Sequence, residues 1–146
     1  MTRLTWRSIL SSGSQKLQDT PNKNVFLEFT LNNPPDDSAA ALLILAAKDV
    51  HEERSYITIN MDRHSTAEND DLNFEVASKQ EFFVSRILST GSTYSTQIHR
   101  IAPGRSRKGE MNWIGLHARA ADGTTNGNKD DFEVARIFLV YTTTED

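Results

Sequence analysis

Apolar residues recur at every second position in short runs along this chain, and clusters of Asn, Asp, Pro and Gly part the runs. In Val25-Phe26-Leu27-Glu28-Phe29-Thr30-Leu31, the side chains of Val25, Leu27, Phe29 and Leu31 share one face. Successive side chains of an extended chain point to opposite sides, so a period of two predicts a strand half-buried on one face. Asn32-Asn33-Pro34-Pro35-Asp36-Asp37 ends it, because proline offers no ladder donor and Asn and Asp favour turns. The same alternation predicts strands over Tyr56–Met61, Leu72–Ala77 and Trp113–Ala118. Phe82–Leu88 and Tyr94–Ile101 are β-prone and are separated by Ser89-Thr90-Gly91-Ser92. Phe132–Thr143, FEVARIFLVYTT, is the longest β-rich run, and Leu4–Leu10 supplies a candidate first strand.

Ser38–Asp49, SAAALLILAAKD, reads two ways. Asp37 or Ser38 would cap a helix, and Ala and Leu favour one. Yet Ala39–Ala47 is apolar throughout and has no polar stripe, which suits a strand buried on both faces. Its strand-like neighbours tip the expectation towards strand. Together these segments predict an all-β fold of about eight or nine strands. The expected form is an antiparallel β-sandwich, jelly-roll-like, built as a single domain over residues 1–146. Asn69-Asp70-Asp71-Leu72-Asn73-Phe74-Glu75-Val76-Ala77 and Asn128-Lys129-Asp130-Asp131-Phe132-Glu133-Val134-Ala135 echo one another, each an acidic turn leading into Phe-Glu-Val-Ala. No longer period accompanies them, so a repeat architecture is not expected.

Composition narrows the function classes. The chain has 146 residues, 37% hydrophobic and 25% charged, enough to bury a core without staples. Its net charge of −4 argues against nucleic acid as a partner, since phosphate neutralisation needs a basic face. One basic run, His99-Arg100 with Arg105-Ser106-Arg107-Lys108, offers an anion contact but reads first as a solvated loop. The absence of cysteine excludes disulfides, zinc thiolates and cysteine nucleophiles. No apolar run is long enough to predict a membrane span. The N-terminal stretch has no apolar core of the signal-peptide kind, so a cytoplasmic protein, or one exported without a leader, is expected.

Two features bear on chemistry. In Arg119–Val134, RAADGTTNGNKDDFEV, the side chains of Asp122, Asn126, Asn128, Asp130 and Asp131 offer oxygen ligands. Gly123 and Gly127 permit tight turns. That donor set suits Ca²⁺, a candidate cofactor. The EF-hand spacing is absent, and Asp-Gly and Asn-Gly equally mark a polar hairpin tip. In Trp113-Ile114-Gly115-Leu116-His117-Ala118-Arg119, an inward face of Ile114, Leu116 and Ala118 would put Trp113, His117 and Arg119 outward together. An outward Trp beside hydrogen-bonding cations fits a sugar: the ring covers its C–H patches and the polar groups hold its hydroxyls. The opposite register would bury Trp113 in the core.

No nucleophile elbow, P-loop, dinucleotide fingerprint or zinc-binding histidine pair is present. Galectins match in size and in lacking cysteine, but their sugar motif is missing: Asn60-Met61-Asp62-Arg63-His64 and the residues after Trp113 do not reproduce it. The sequence therefore predicts a non-enzymatic, lectin-like sandwich that binds carbohydrate, with Trp113, His117 and Arg119 as contacts. The alternative is an assembly subunit, in which strand 132–143 pairs at a sheet edge with a second copy and Trp113 anchors the homo-oligomer.

Overall fold

The structure, a computed structural model, describes residues 2–17, 24–51, 55–60, 83–104, 111–119 and 131–144. Within them run eight strands: β1 (Thr2–Leu17), β2 (Asn24–Phe29), β3 (Ala41–Lys48), β4 (Tyr56–Ile59), β5 (Phe83–Arg86), β6 (Ser95–Ile101), β7 (Asn112–His117) and β8 (Phe132–Thr144). They form two four-stranded sheets, β1-β8-β3-β6 (sheet I) and β2-β7-β4-β5 (sheet II). Every ladder is antiparallel. The chain crosses between sheets at almost every connection, which is the strand order of a jelly roll and agrees with the expected sandwich. The ambiguous segment 38–49 is a strand over Ala41–Lys48. The predicted strand over Leu72–Ala77 lies outside the described residues.

The core fills the space between the sheets. Leu43, Leu45 and Ala47 of β3 and Ile137, Leu139 and Tyr141 of β8 face Ile57 and Ile59 of β4 and Ile114 and Leu116 of β7. Alternation alone places most of these side chains, but β8 breaks it. Phe132 and Val134 face inward, and so do Ile137, Leu139 and Tyr141, an odd step between Val134 and Ile137. A bulge absorbs the extra residue: Ile44 pairs with Phe138 and Ala46 with Ala135, and exposed Arg136 takes the left-handed conformation at φ 53°. Without it, one half of β8 would turn its apolar side chains to the wrong face.

The expectation that strand 132–143 sits at a sheet edge is overturned. β8 is flanked by β1 and β3, so its backbone donors and acceptors are taken within the chain. The cause is the length of the first strand: β1 extends to Leu17, past the predicted Leu10, and covers β8 from end to end by bulging around Leu10–Ser14.

Where β5 and β6 end their sheets, inward-facing polar groups close the gap. Gln97 donates from Nε2 to the Leu88 carbonyl (2.7 Å) and accepts at Oε1 from the Leu88 amide (3.0 Å). Its Oε1 also lies 3.0 Å from His99 Nε2, so that ring nitrogen must carry the proton. His99 Nδ1 is then the acceptor for Ser85 Oγ at 2.7 Å. This chain ties β6 of sheet I to β5 of sheet II. Burial pushes the His99 pKa down, in keeping with a neutral imidazole.

Candidate functional site

The outer face of sheet II gathers the polar and aromatic side chains. Directly opposed residues in an antiparallel ladder share a face. Asn24, Phe26 and Glu28 of β2 therefore stand beside His117, Gly115 and Trp113 of β7. Tyr56 and Thr58 of β4 stand on the other side of His117 and Gly115, with Arg86 and Val84 of β5 beyond them. Of the two registers open to the Trp113 strand, the structure has the one in which Ile114, Leu116 and Ala118 are buried in the core. Trp113 and His117 take the opposite face, and Arg119 joins His117 through shared partners there.

Exposure differs along this face. Glu28 is exposed and Trp113 half-buried, whereas His117, Arg119, Tyr56 and Thr58 are each 0% exposed. His117 and Arg119 are thus not the open contacts that alternation suggests. Alternation assigns a face; it does not say what packs over it.

Hydrogen bonds and ring contacts knit the buried cluster together. Arg119 Nη1 donates to Asn24 Oδ1 (3.0 Å) and to the Ala118 carbonyl (2.8 Å), and Nη2 donates to Tyr56 Oη (3.1 Å). Its backbone amide donates to Ser55 Oγ (3.1 Å). Because Asn24 Oδ1 accepts from a guanidinium, the 2.7 Å contact to His117 Nδ1 makes that nitrogen the donor. His117 Nε2 is then free of a proton and accepts from Thr58 Oγ1 at 2.9 Å. Tyr56 stacks on the imidazole at 4.6 Å between centroids, and Phe26 meets it edge-on at 5.6 Å. Among the described residues no buried side-chain nitrogen or oxygen lacks a partner. A buried cation is tolerated on that condition.

Electrostatics follow from burial. Loss of water holds the His117 pKa well below the ordinary imidazole value, and the nearby Arg119 charge pushes the same way. The Tyr56 phenol is raised by burial, partly offset by the Arg119 charge and hydrogen bond. Gly115 is fixed by the same cluster. A Cβ there would run into Thr58 Oγ1 and His117 Nε2, the two atoms of the hydrogen bond that passes over it.

At the open end, Asn60 sets the position of Trp113. Asn60 adopts φ 60°, a left-handed conformation that Asn tolerates better than most residues. Its backbone amide donates to the Trp113 carbonyl (2.9 Å), and its Oδ1 accepts from the Trp113 amide (3.1 Å). Its Nδ2 donates to buried Asn112 Oδ1 (3.0 Å). Tyr56, Asn24 and Asn60 were not legible as site residues from local pattern, because their roles come from pairing with β7.

Of the proposed calcium ligands, Asp122, Asn126, Asn128 and Asp130 lie outside the described residues. Asp131 is exposed and immediately precedes β8. Among the described residues no group of three or more acidic or histidine side chains could hold a metal ion. In the basic run, His99 faces the core and Arg100 faces solvent, while Arg105, Arg107 and Lys108 lie outside the described residues.

No protein-family model and no curated protein matches the chain. Solved structures give distant likenesses. A carbohydrate-binding module from lichenase 5A of Cellvibrio mixtus, solved with cellotriose, is 15% identical with a TM-score of 0.42, covering 96% of this chain and 98% of that one. The enzymatically active domain of tailspike protein 4 of bacteriophage CBA120 is 10% identical with a TM-score of 0.41, covering 94% of this chain and 19% of that one. An arabinose-bound α-L-arabinofuranosidase is 11% identical with a TM-score of 0.40, covering 96% of this chain and 23% of that one. Scores at this level do not bear on what the chain binds.

Proposed function

We propose that this chain is a non-enzymatic carbohydrate-binding β-sandwich whose ligand lies on the outer face of sheet II. One observation carries the reading: half-buried Trp113 and exposed Glu28 stand side by side on that face, with the partly open side chains of Phe26, Asn24 and Arg86 further along it on one sheet. Sugar recognition needs that mixture, flat apolar surface for the ring and fixed polar groups for the hydroxyls. The contacts are Trp113, half-buried, and Glu28, exposed directly opposite it. His117 and Arg119 lie further along the same face as a buried cluster that fixes β7 against β2 and β4, a positioning role in place of the direct one first expected.

Calcium enters the proposal through the loop from Asp122 to Asp131. A glycan array run with calcium and again with EGTA tests both parts. Binding in both conditions supports the sheet-face site and removes the metal. Binding lost in EGTA makes the loop part of the site. No binding in either condition overturns the proposal.

A further inference from the structure

Sheet I is apolar on both faces, and among the described residues only the inner one is covered. On its outer face the side chains fall into two rows across all four strands. One row is Trp6, Val140, Leu42 and Arg100; the next is Ser8, Phe138, Ile44 and Ile98. Leu4 is 72% exposed, Trp6 67%, Ile98 60% and Leu42 38%, and Phe138, Val140 and Ile44 are half-buried. Trp6 meets Phe138 edge-on at 6.3 Å. With Leu4, Thr5 and Val140 they line a shallow depression of about 510 Å³. A sheet with one wet face alternates apolar and polar residues, whereas β3 runs Ala-Leu-Leu-Ile-Leu-Ala-Ala without a break. Continuous runs of that kind belong to strands covered on both sides.

We propose that a second copy of this chain covers the outer face of sheet I, packing face to face about a two-fold axis. The arrangement of the rows favours self-pairing. The middle of the sheet falls between β8 and β3. A two-fold axis along the strands at that midline lays β1 of one copy over β6 of the other and β8 over β3. Trp6 then meets Arg100 of the other copy, and the exchange is repeated by symmetry. Val140 meets Leu42, and Phe138 meets Ile44, at the centre. A guanidinium over an indole is a favourable cation–π pair, and a two-fold interface requires this self-complementarity of the patch.

The area is of the right order. The exposed apolar side chains form one continuous patch of the order of the largest on an ordinary monomer, about 300–600 Å². Ser8, Thr96, Arg100 and Thr142 at the rim extend the contact towards the roughly 800 Å² per partner of a standard stable interface. This face lies across the sandwich from Trp113, so dimerisation and glycan binding are independent.

Sedimentation velocity over a concentration series tests the inference. The wild type is expected to dimerise, and Trp6→Lys, which sets a lysine against Arg100 of the other copy, is expected to weaken the dimer at least about 10-fold. Adding Arg100→Glu to Trp6→Lys is expected to restore dimerisation by placing Lys opposite Glu. Trp6 and Arg100 are both exposed, and an unchanged far-UV spectrum checks that the variants fold. A wild type that stays monomeric up to about 100 µM overturns the dimer. So does a Trp6→Lys variant that associates as the wild type does. A double variant that regains nothing overturns the two-fold arrangement.

Discussion

Thr58 Oγ1 lies 2.9 Å from His117 Nε2, and the bond between them passes over the bare Cα of Gly115. Three residues on two strands are thereby locked to one another. Gly115→Ala would push a methyl group into that bond on a buried sheet face. Overpacking costs about 1–3 kcal/mol, and separating the pair leaves buried polar groups that cost about 1–3 kcal/mol more. Urea denaturation should show a loss of at least about 2 kcal/mol with an unchanged slope. A loss below about 0.5 kcal/mol, the range of neutral surface changes, would mean that the cluster yields freely.

The same imidazole makes stability depend on pH. His117 is neutral in the fold because burial and Arg119 depress its pKa, while in the unfolded chain it titrates near the ordinary value. As pH falls below about 6.5, the unfolded chain takes up a proton that the folded chain refuses. Stability is therefore full above that pH and declines below it, by up to about 1.4 kcal/mol per pH unit for each such histidine. His99, lowered by burial, acts in the same direction. Unfolding midpoints at pH 7.5, 6.0 and 5.0 should fall steadily in the wild type and less steeply in His117→Gln. Parallel profiles for the two would place the proton elsewhere.

Arg119→Lys should not be conservative. One ammonium cannot reproduce the fork that reaches Asn24, the Ala118 carbonyl and Tyr56 together. Tyr56 and the Ala118 carbonyl are left behind in a buried setting and Asn24 in a half-buried one, so the loss should be about 2–4 kcal/mol by chemical denaturation. A near-neutral result would show that the guanidinium contributes little beyond filling space.

Gln97→Leu probes the far edge of the sandwich. The substitution keeps an apolar bulk but strips both backbone groups of Leu88 of their partner and leaves His99 Nε2 without an acceptor. A destabilisation of about 1–3 kcal/mol is expected, with amide exchange at Leu88 accelerated. Unchanged exchange there would mean that the two sheets are held together without this chain.

Alternation made the fold legible. Runs such as Val25–Leu31 and Trp113–Ala118 carry a period of two, and no competing helical period obscures it. The inward set of the Trp113 strand, Ile114, Leu116 and Ala118, follows from that rule and is found buried. The rule fails where the chain departs from a regular ladder. The bulge at Arg136 and the long, irregular β1 depend on pairing with distant strands, which no local pattern contains. The site was legible only in part. Trp113, His117 and Arg119 share a face, as expected, but the side chains found packed against His117 and Arg119 include Asn24, Phe26 and Tyr56, which arrive from β2 and β4. The double-sided apolar character of β3 was written in ALLILAA, and its consequence for sheet I becomes visible only once the strand has neighbours.

Carbohydrate is expected to bind the outer face of sheet II through Trp113. Isothermal titration of the strongest array hit against wild type, Trp113→Ala and Trp6→Lys tests it most directly. Binding is expected for the wild type and for Trp6→Lys, with a loss of at least about 10-fold in Trp113→Ala, the order expected when a central aromatic anchor is removed. Full affinity in Trp113→Ala, or loss in Trp6→Lys with Trp113→Ala unaffected, would contradict it.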